Sequence, residues 1–306
     1  MPELPEVQTT VNGIKEHTIG MVIRDVWTNY NSSFYAGKDN IKNPKYFSLF
    51  KKQIIDSKII GADRRAKNVL INLSCGKTIL IHMKMTGHLL YGNYSYDKKT
   101  KTWRAKQAGS LQHPLNQFIR LVLTLSNNKH LVLSDMRRFA KVTLIDSKGL
   151  EEHKDIHILG PEPLEDNFTF NILKGCLNKK SGGRIKTVLM NQKVIAGIGN
   201  IYSDEILWRA GVHPEERVKN IPETKLKLIF KAIKDTLKKG IDLGGDSMSD
   251  YHNILGEKGL FQNTHTVYRR TGLSCLKRGC SGTIQRKKVG GRSAHFCPVC
   301  QTLLHK

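Results

Sequence analysis

Acidic residues are scarce in this 306-residue chain, which has 26 Asp and Glu against 50 Lys and Arg. The resulting formal net charge of +24 is extreme for a folded protein of this size. Such a charge attracts polyanions and predicts a partner of that kind. The imbalance is greatest near the C-terminus, where residues 258–306 include ten basic side chains and no acidic one.

Long hydrophobic runs are also missing. No apolar run approaches the length of about 18 residues that indicates a membrane span, and the N-terminus has no apolar core of a secretory signal. We therefore expect no membrane contact and a cytoplasmic location. Cysteine is infrequent, with six residues, but four of them cluster near the C-terminus. Without a secretion signal, such a cluster predicts a metal site rather than disulfides.

The hydrophobic pattern divides the chain into two halves. A helix is predicted from Glu3 to about Thr18, with Gly20 as its stop. Short β-branched segments separated by turn residues then predict an antiparallel sandwich or barrel, with strands at 21–27, 58–60, 68–73, 78–83, 118–125, 130–133 and 140–145. Residues 91–114 are polar and Lys-rich, which predicts a long mobile loop.

Beyond Gly160-Pro161-Glu162-Pro163 the hydrophobic period becomes helical, with helices predicted at 167–177, 185–189, 201–210 and 223–240. Gly197-Ile198-Gly199-Asn200 joins two of them and could direct amide N–H groups at an anion or simply form a tight turn. Residues 244–261 are Gly-rich and predict another mobile loop. The expected fold is α+β with three domains: a β-sandwich with an N-terminal helix (1–150), a helical domain (151–262) and a metal hairpin (263–306).

The clustered cysteines have the spacing of a metal site: Cys275-x4-Cys280, sixteen residues, then Cys297-x2-Cys300. Two close pairs predict tetrahedral thiolate ligation, which is closed to water and therefore structural. The segment between the pairs predicts a basic β-hairpin with Arg292 at its tip. Such a hairpin has no adequate core, so the metal is expected to fold it. Arg292 is either a nucleic-acid contact or a solvated turn residue.

The first residues, Met1-Pro2-Glu3, are a second candidate site. If Met1 is removed, Pro2 has a free secondary amine, and an α-amino group titrates near pH 8, far below the roughly 10.4 of lysine. Addition of that amine to a sugar aldehyde carbon gives a charged iminium, which accepts electrons. Glu3 is close enough to exchange protons. Proline and glutamate are, however, also ordinary residues of a first helical turn.

In combination these features resemble the formamidopyrimidine-DNA glycosylase family, within the group that includes endonuclease VIII. The resemblance runs from Pro2 to about Cys300 and rests on Pro-Glu-Leu-Pro-Glu, Gly-Ile-Gly-Asn and the four-cysteine hairpin. Leu4 and the tract from Gly244-Gly245 to Val267-Tyr268-Arg269-Arg270 favour the formamidopyrimidine branch. The resemblance implies a monomer that binds damaged double-stranded DNA in a basic cleft between its halves and carries one structural zinc.

The resemblance also implies roles for individual residues. Pro2 would attack the anomeric carbon of the damaged nucleotide, with Glu3 transferring protons and Glu6 supporting the site. Lys67 would contact phosphate and aid β-elimination, and Arg292 would hold the phosphates beside the lesion and promote δ-elimination. The implied backbone contacts are Asn200, Lys186 and Lys180.

An enzyme that extracts a base must fill the gap in the stack, and the family uses Met, Arg and Phe. Here these would be Met85, Arg137 and Phe139, with Arg138 as a neighbouring DNA contact. The matched positions are not all typical. Lys84 and Ala140 replace glycines, the first cysteine pair has two extra residues, and the usual loop histidine is replaced by Asn116 or displaced to His113.

The sequence therefore predicts a bifunctional glycosylase and lyase that removes oxidised purines. Two alternatives remain. An endonuclease VIII-like enzyme would apply the same chemistry to oxidised pyrimidines, although Leu4, Met85 and Arg137 argue against it. A catalytically silent DNA-damage-binding protein could use the same scaffold, although intact Pro2, Glu3 and Lys67 argue against that. A retained Met1 would favour the silent protein, because a blocked amine cannot form an iminium.

Overall fold

A computed structural model describes residues 1–304 of the chain. It divides into two compact units. The N-terminal unit comprises Met1–His157 together with Leu243–Leu260, and the C-terminal unit comprises Ile158–Asp242 and the chain from Phe261 onward. The segment 243–260 therefore returns to the N-terminal unit, and the cysteine hairpin belongs with the helices. The three-domain division stays a prediction.

The N-terminal unit is a β-sandwich, as predicted. One antiparallel sheet has the order β1-β8-β9-β5 and the other has β10-β4-β3-β2. The strands are β1 (Ile23–Thr28), β2 (Ile59–Arg65), β3 (Asn68–Leu73), β4 (Lys77–His82), β5 (His88–Gly92), β8 (Ile119–Leu125), β9 (His130–Ser134) and β10 (Lys141–Asp146). Helix α1 (Leu4–Thr18) joins the same core through Val7, Val11 and Ile14, because its apolar side chains recur at helical spacing.

Three parts of this unit differ from the sequence prediction. Strand β5 (His88–Gly92) was not predicted. Residues 91–114 are not a plain loop, because a hairpin of β6 (Tyr94–Asp97) and β7 (Thr102–Ala105) forms within them. Its aromatic side chains pack outside the sandwich, which the lysine content of the sequence concealed. Helix α2 (Pro44–Ile54) was also not predicted, although Asn43 caps it through a bond from the Lys45 N–H and Pro44 opens it.

The C-terminal unit contains the predicted helices, α3 (Phe170–Asn178), α4 (Ile185–Leu189), α5 (Asn200–Ala210) and α6 (Glu223–Asp242). Gly211 ends α5 in the left-handed conformation, which is typical of a glycine that follows a helix. The cysteine segment forms the expected hairpin of β11 (Gln285–Val289) and β12 (Arg292–Phe296). Among residues 1–304, no helix is both long and apolar enough to cross a bilayer.

Candidate active site and nucleic-acid contacts

The N-terminus is held rigidly at the start of α1. Pro2 and Glu3 are buried, whereas Met1 is exposed. The Glu3 N–H donates to Glu6 Oε2 at 2.7 Å, which completes a capping box in which the Glu3 side chain accepts from the backbone of Glu6. The backbone beside Pro2 is therefore fixed, and a carboxylate lies next to it.

Glu6 also binds the returning segment 243–260. Its Oε1 accepts from the Asp246 N–H at 2.7 Å, and the Tyr251 hydroxyl donates to its carbonyl at 2.9 Å. Gly245 has a positive φ of 86°, and a Cβ there would lie 2.9 Å from Glu6 Cγ. One buried carboxylate thus joins the N-terminal turn to the glycine-rich loop that the sequence predicted to be mobile.

Lys67 lies in the turn between β2 and β3 and is almost fully buried. Arg64 donates from Nε to Gln8 Oε1 at 3.0 Å, which places this turn beside the first two turns of α1. His82 is opposite the start of β3. Burial lowers the pKa of His82 to about 3, and the positive charges of Lys84 and Lys67 act in the same direction. His82 is therefore neutral at pH 7 and adds no charge beside Lys67.

The three predicted gap-filling residues lie on two adjoining loops of the N-terminal unit. Met85 and Phe139 are 36% and 49% exposed, although the strands that flank their loops contribute to a well-packed core. The Arg137 guanidinium lies 4.7 Å from the centre of the Phe139 ring, and Arg138 is exposed with a positive φ of 57°. The structure therefore presents these side chains outward instead of packing them in the core.

A buried aspartate that the sequence analysis missed holds these loops together. Asp135 accepts from the Thr86 hydroxyl at 2.5 Å, from the Ala140 N–H at 2.8 Å and from the Tyr30 hydroxyl at 3.0 Å. The Arg137 N–H in turn donates to Thr86 Oγ1 at 3.0 Å. The only hint in the sequence is an aspartate directly after a fully buried strand.

The structure shows the surroundings of two of the atypical positions. Lys84 has a positive φ of 57°, a conformation that favours glycine. Asn116 is buried, with Oδ1 2.8 Å from His88 Nε2 and Nδ2 donating to the Ser110 carbonyl at 2.7 Å. The Asn116 side chain is therefore used in internal bonds. His113, in the same loop, is partly exposed.

In the C-terminal unit, the Gly-Ile-Gly-Asn turn places Asn200 at the first position of α5. Gln192 braces this turn, because its Oε1 accepts from the Gly197 N–H at 2.8 Å and its Nε2 donates to the Ile198 carbonyl at 2.7 Å. Asn200 Oδ1 is buried with no hydrogen-bond partner among residues 1–304. The N-terminus of a helix favours anions, so the turn can receive a phosphate.

Lys186 does not reach the surface as a backbone contact would require. Its side chain is fully buried in an ion pair with Asp204, and its Nζ lies 3.3 Å from Ser203 Oγ. The prediction of a direct phosphate contact is therefore corrected. Lys186 instead stabilises the first turn of α5 through these buried contacts. Lys180, in contrast, is exposed and lines an open cavity of about 470 Å³.

The four hairpin cysteines converge despite the longer first pair. All four Sγ atoms lie within 4.8 Å of one another, with Cys275–Cys300 at 3.8 Å and Cys280–Cys297 at 3.6 Å. Tetrahedral zinc with Zn–S bonds of about 2.3 Å places its sulfurs about 3.8 Å apart. The donors are all thiols and fill the coordination shell, so the site fits one structural zinc ion.

The hairpin presents Arg292 beside a two-glycine turn. Gly290 and Gly291 both have positive φ, 54° and 79°, as the tightest hairpin turns require. Arg292 follows as the first residue of β12 and is exposed. A Cβ on Gly290 would lie 2.2 Å from Thr187 Cγ2, so the tip rests closely on α4.

Helix α5 holds the hairpin and the segment that leads into it with three side chains. Asp204 Oδ2 accepts from both the N–H and the Nδ1 of His295 at 2.9 Å. Glu205 accepts the backbone N–H groups of residues 266–268 at 2.9–3.0 Å. Trp208 Nε1 donates to Cys275 Sγ at 3.3 Å. The helix that begins at Asn200 therefore also positions the strand of Arg292, a link that the sequence analysis did not find.

The structure combines an N-terminal Pro-Glu pair on a β-sandwich with a helical unit that carries a four-cysteine hairpin suited to zinc. This is the combination of features expected of the class of DNA glycosylases that the sequence resembles, and comparison with known proteins supports that class. Family models match residues 1–142 (formamidopyrimidine-DNA glycosylase N-terminal domain), 159–252 (the H2TH domain of the same family) and 275–303 (zinc finger found in FPG and IleRS). The chain belongs to the formamidopyrimidine-DNA glycosylase family.

Individual relatives match over nearly the whole chain. The formamidopyrimidine-DNA glycosylase of Pelotomaculum thermopropionicum is 37% identical, and the alignment covers 98% of this chain and 99% of that protein. A complex of Lactococcus lactis Fpg with abasic-site DNA matches with a TM-score of 0.81, 30% identity, and coverage of 98% and 99%. A MutM complex with DNA containing carbocyclic 8-oxo-G matches with a TM-score of 0.80 at the same identity, covering 98% of this chain and 100% of that one.

Proposed function

We propose that this protein is a bifunctional DNA glycosylase and abasic-site lyase of base-excision repair, which removes oxidised purines from duplex DNA. The observation that carries the proposal is the buried Pro2-Glu3 start, fixed by Glu6 and joined through it to the segment 243–260. Membership of the family and the DNA lesions bound by its relatives support the same conclusion.

The chemistry follows from the N-terminal amine. After removal of the exposed Met1, the Pro2 nitrogen bonds to C1′ of the damaged nucleotide, and the bond from C1′ to the base breaks with its electron pair leaving on the base. Glu3 supplies and accepts the protons of this step and of sugar-ring opening. The product is an iminium, which acidifies the neighbouring C2′ position.

Strand cleavage then proceeds by elimination. Loss of a C2′ proton expels the 3′ phosphate, and a second elimination expels the 5′ phosphate. In this proposal Lys67 contacts phosphate and assists the first step, and Arg292 holds the flanking phosphates and promotes the second. Cationic groups are suited to both tasks, because negative charge develops on the departing oxygens.

The exposed side chains on the two adjoining loops have a role in base extraction. Met85, Arg137 and Phe139 fill the gap left by the extruded nucleotide, and Arg138 contacts the DNA beside it. Asn200 and Lys180 bind backbone phosphates. We further propose a monomer located in the cytoplasm with the nucleoid, as expected for a basic protein that acts on genomic DNA.

The test is borohydride trapping on a duplex with one 8-oxoguanine opposite cytosine, run beside a thymine glycol duplex. Borohydride reduces an iminium to a stable amine, so the wild-type protein should form a covalent adduct mainly with the first duplex. Pro2→Gly should lose most of that adduct, whereas Pro5→Ala, a proline substitution in the same helical turn, should retain it.

Each other outcome selects an alternative. An adduct mainly on thymine glycol would assign the protein to the endonuclease VIII branch. Tight binding without an adduct on either duplex, with Met1 removal confirmed by intact mass, would leave a damage-binding protein without catalysis.

A further inference from the structure

We infer that the β6–β7 hairpin is a second DNA-binding element, which holds the phosphate backbone of the duplex at a distance from the lesion. This basic hairpin comprises residues 94–106. The inference rests on the proposed function, because it takes duplex DNA as the partner. It adds a contact surface on the outer side of the β1-β8-β9-β5 sheet, separate from the gap-filling loops and from the zinc hairpin.

The hairpin is held firmly by its aromatic face. Tyr96 and Trp103 are cross-strand partners, with ring centres 5.6 Å apart, and both rings approach Trp27 of β1 at about 6 Å. Tyr94 and His130 continue this packing inward, with Tyr94 buried. Three of the four strands of the sheet, β5, β8 and β9, also contribute to the apolar cluster beneath it.

The opposite face and the tip of the hairpin are strongly basic. Five cations lie within nine residues and are all exposed: Lys98, Lys99, Lys101, Arg104 and Lys106. The one acidic residue of the hairpin, Asp97, is occupied by its own turn, since its carboxylate accepts from the Lys99 N–H and the Thr100 hydroxyl at 2.8 Å.

Many other surface cations in the described part of the chain form salt bridges, and these five cations do not. Lys15, Lys51 and Lys77, for example, each form a salt bridge with an aspartate. None of the five forms an ion pair with any residue between 1 and 304. Clustered like charges repel one another, and binding of a polyanion relieves this repulsion and releases the counterions of both partners.

The distance along the sheet indicates where the hairpin would contact DNA. Strand β5, of five residues, separates the loop of Met85 from the base of the hairpin. Five residues of extended strand span about 16 Å, so a duplex arm of about five base pairs, at about 3.4 Å each, is only about as long as this separation. We therefore expect the hairpin to bind backbone phosphates that a longer arm supplies and an arm of about five base pairs does not.

Duplex length is consequently the variable to test. The probe is a duplex with one tetrahydrofuran abasic analogue opposite cytosine, with arms of either about 5 or about 15 base pairs. The main variant is Lys98→Glu/Lys99→Glu/Lys101→Glu, which reverses the tip without touching the aromatic face. Lys98→Arg/Lys99→Arg/Lys101→Arg preserves the charge. Lys45→Glu/Lys52→Glu/Lys148→Glu matches the charge change on exposed, scattered positions of the same unit.

The wild-type protein and the arginine variant should bind the long duplex more tightly than the short one, with a steeper salt dependence. Reversal of the tip should weaken long-duplex binding about tenfold or more and reduce the salt slope by roughly 2 to 3. It should leave short-duplex binding and 8-oxoguanine excision within about twofold of wild type. Long duplexes extended on only one side of the lesion should locate the contact.

Three results would overturn the inference. An unchanged length dependence and salt slope would mean that the basic hairpin is a solvated surface, as would an equal effect of the scattered control. Equal loss of affinity on both duplexes would mean that the hairpin supports the main site instead. Failure of the proposed function is distinguished by the short duplex, because a protein that is not a glycosylase would show no excision there in any variant.

Discussion

The two units of this protein hold their exposed cations by different physical means. In the N-terminal unit, the loop of Arg137 and Phe139 lies at the end of a sandwich with a large, continuous apolar core. In the C-terminal unit, Arg292 lies on β12 of a hairpin of two five-residue strands. The apolar cluster beside this hairpin is small and consists of Trp208, Val267, Ile284 and the cysteines, to which the strands add the buried Val289, Ala294 and Phe296. The first loop is supported by hydrophobic burial, and the second depends on metal ligation and buried hydrogen bonds.

The comparison shows where buried carboxylates matter most. Asp135 adjusts the geometry of loops that a large core already supports, whereas Asp204 and Glu205 add buried hydrogen bonds where the apolar cluster is small. A carboxylate buried without partners is costly, so each of the three accepts several N–H or O–H donors. Different treatments should therefore damage the two units selectively.

Zinc removal should have the largest effect. Cys297→Ser, or treatment with a strong chelator, should unfold the hairpin, because ligation of a structural zinc contributes on the order of 10 kcal/mol in isolated fingers. DNA cleavage should be lost with it. Hydrogen exchange should show loss of protection in Gln285–Val289 and Arg292–Phe296 while Asn68–Leu73 stays protected.

The matched control is Cys176→Ser, which changes a cysteine of α3 outside the cluster. It should keep one zinc per chain by atomic emission, together with the exchange pattern of the wild type. Equal loss of protection in both units after zinc removal would contradict the comparison, because it would mean that the sandwich also depends on the metal.

A substitution in the core of the sandwich should destabilise the N-terminal unit and leave the zinc hairpin folded, which is the reverse of zinc removal. Ile79 on β4 is fully buried, and Ile79→Ala should lower the free energy of unfolding of the N-terminal unit by about 4 kcal/mol, since it leaves a cavity. Ile60→Ala on β2, where the side chain is 57% exposed, should change it by less than about 0.5 kcal/mol. Denaturant unfolding measures both values. If the Ile79→Ala protein released zinc under native conditions, the two units would not be stabilised independently of each other.

Glu205→Gln should weaken the link between α5 and the hairpin. An amide nitrogen would then face backbone N–H groups that now donate to a carboxylate, at an expected cost of about 3 kcal/mol. The hairpin should exchange faster and release zinc faster to a chelator. Glu223→Gln is the control, because that carboxylate forms only exposed pairs with Lys174 and Lys227 and should matter little.

The sequence predicted most accurately what depends on local pattern. Short β-branched segments between turn residues indicated the strands at 68–73 and 130–133. Cysteine spacing, in a chain without a secretion signal, indicated the zinc hairpin. The structure places Pro2 and Glu3 in a fixed, buried N-terminal turn and gathers Met85, Arg137 and Phe139 on adjoining loops. Their chemical roles stay predictions.

What the sequence could not predict depends on contacts between distant residues. Lysines among the aromatics concealed the β6–β7 hairpin, whose packing partner Trp27 is far away in the chain. Asp135, Asp204 and Lys186 are charged, and charge ordinarily indicates the surface. Their burial follows only from donors and acceptors that the fold brings together, so no periodicity in their own segments could have indicated it.

The last expected effect is that of His88 on the free energy of unfolding, which should change only in acid. Burial lowers the pKa of His88 to about 4, although its contacts with Asn116 and the Thr86 carbonyl oppose the shift. The unfolded chain protonates this residue below its ordinary pKa of about 6.5, whereas the folded N-terminal unit does so only below about 4. Stability should therefore be fully present above pH 6.5 and fall by about 3 kcal/mol as the pH decreases to 4.

His88→Gln removes this titration, so the difference in unfolding free energy between the variant and the wild type should change by about 3 kcal/mol between pH 7 and pH 4. The zinc thiolates also protonate in acid, but that loss is common to both proteins and cancels in the difference. Urea unfolding at several pH values, followed through a signal from the sandwich, measures it. A difference that is constant with pH would mean that His88 titrates alike in both states and that acid acts on the two units through other groups.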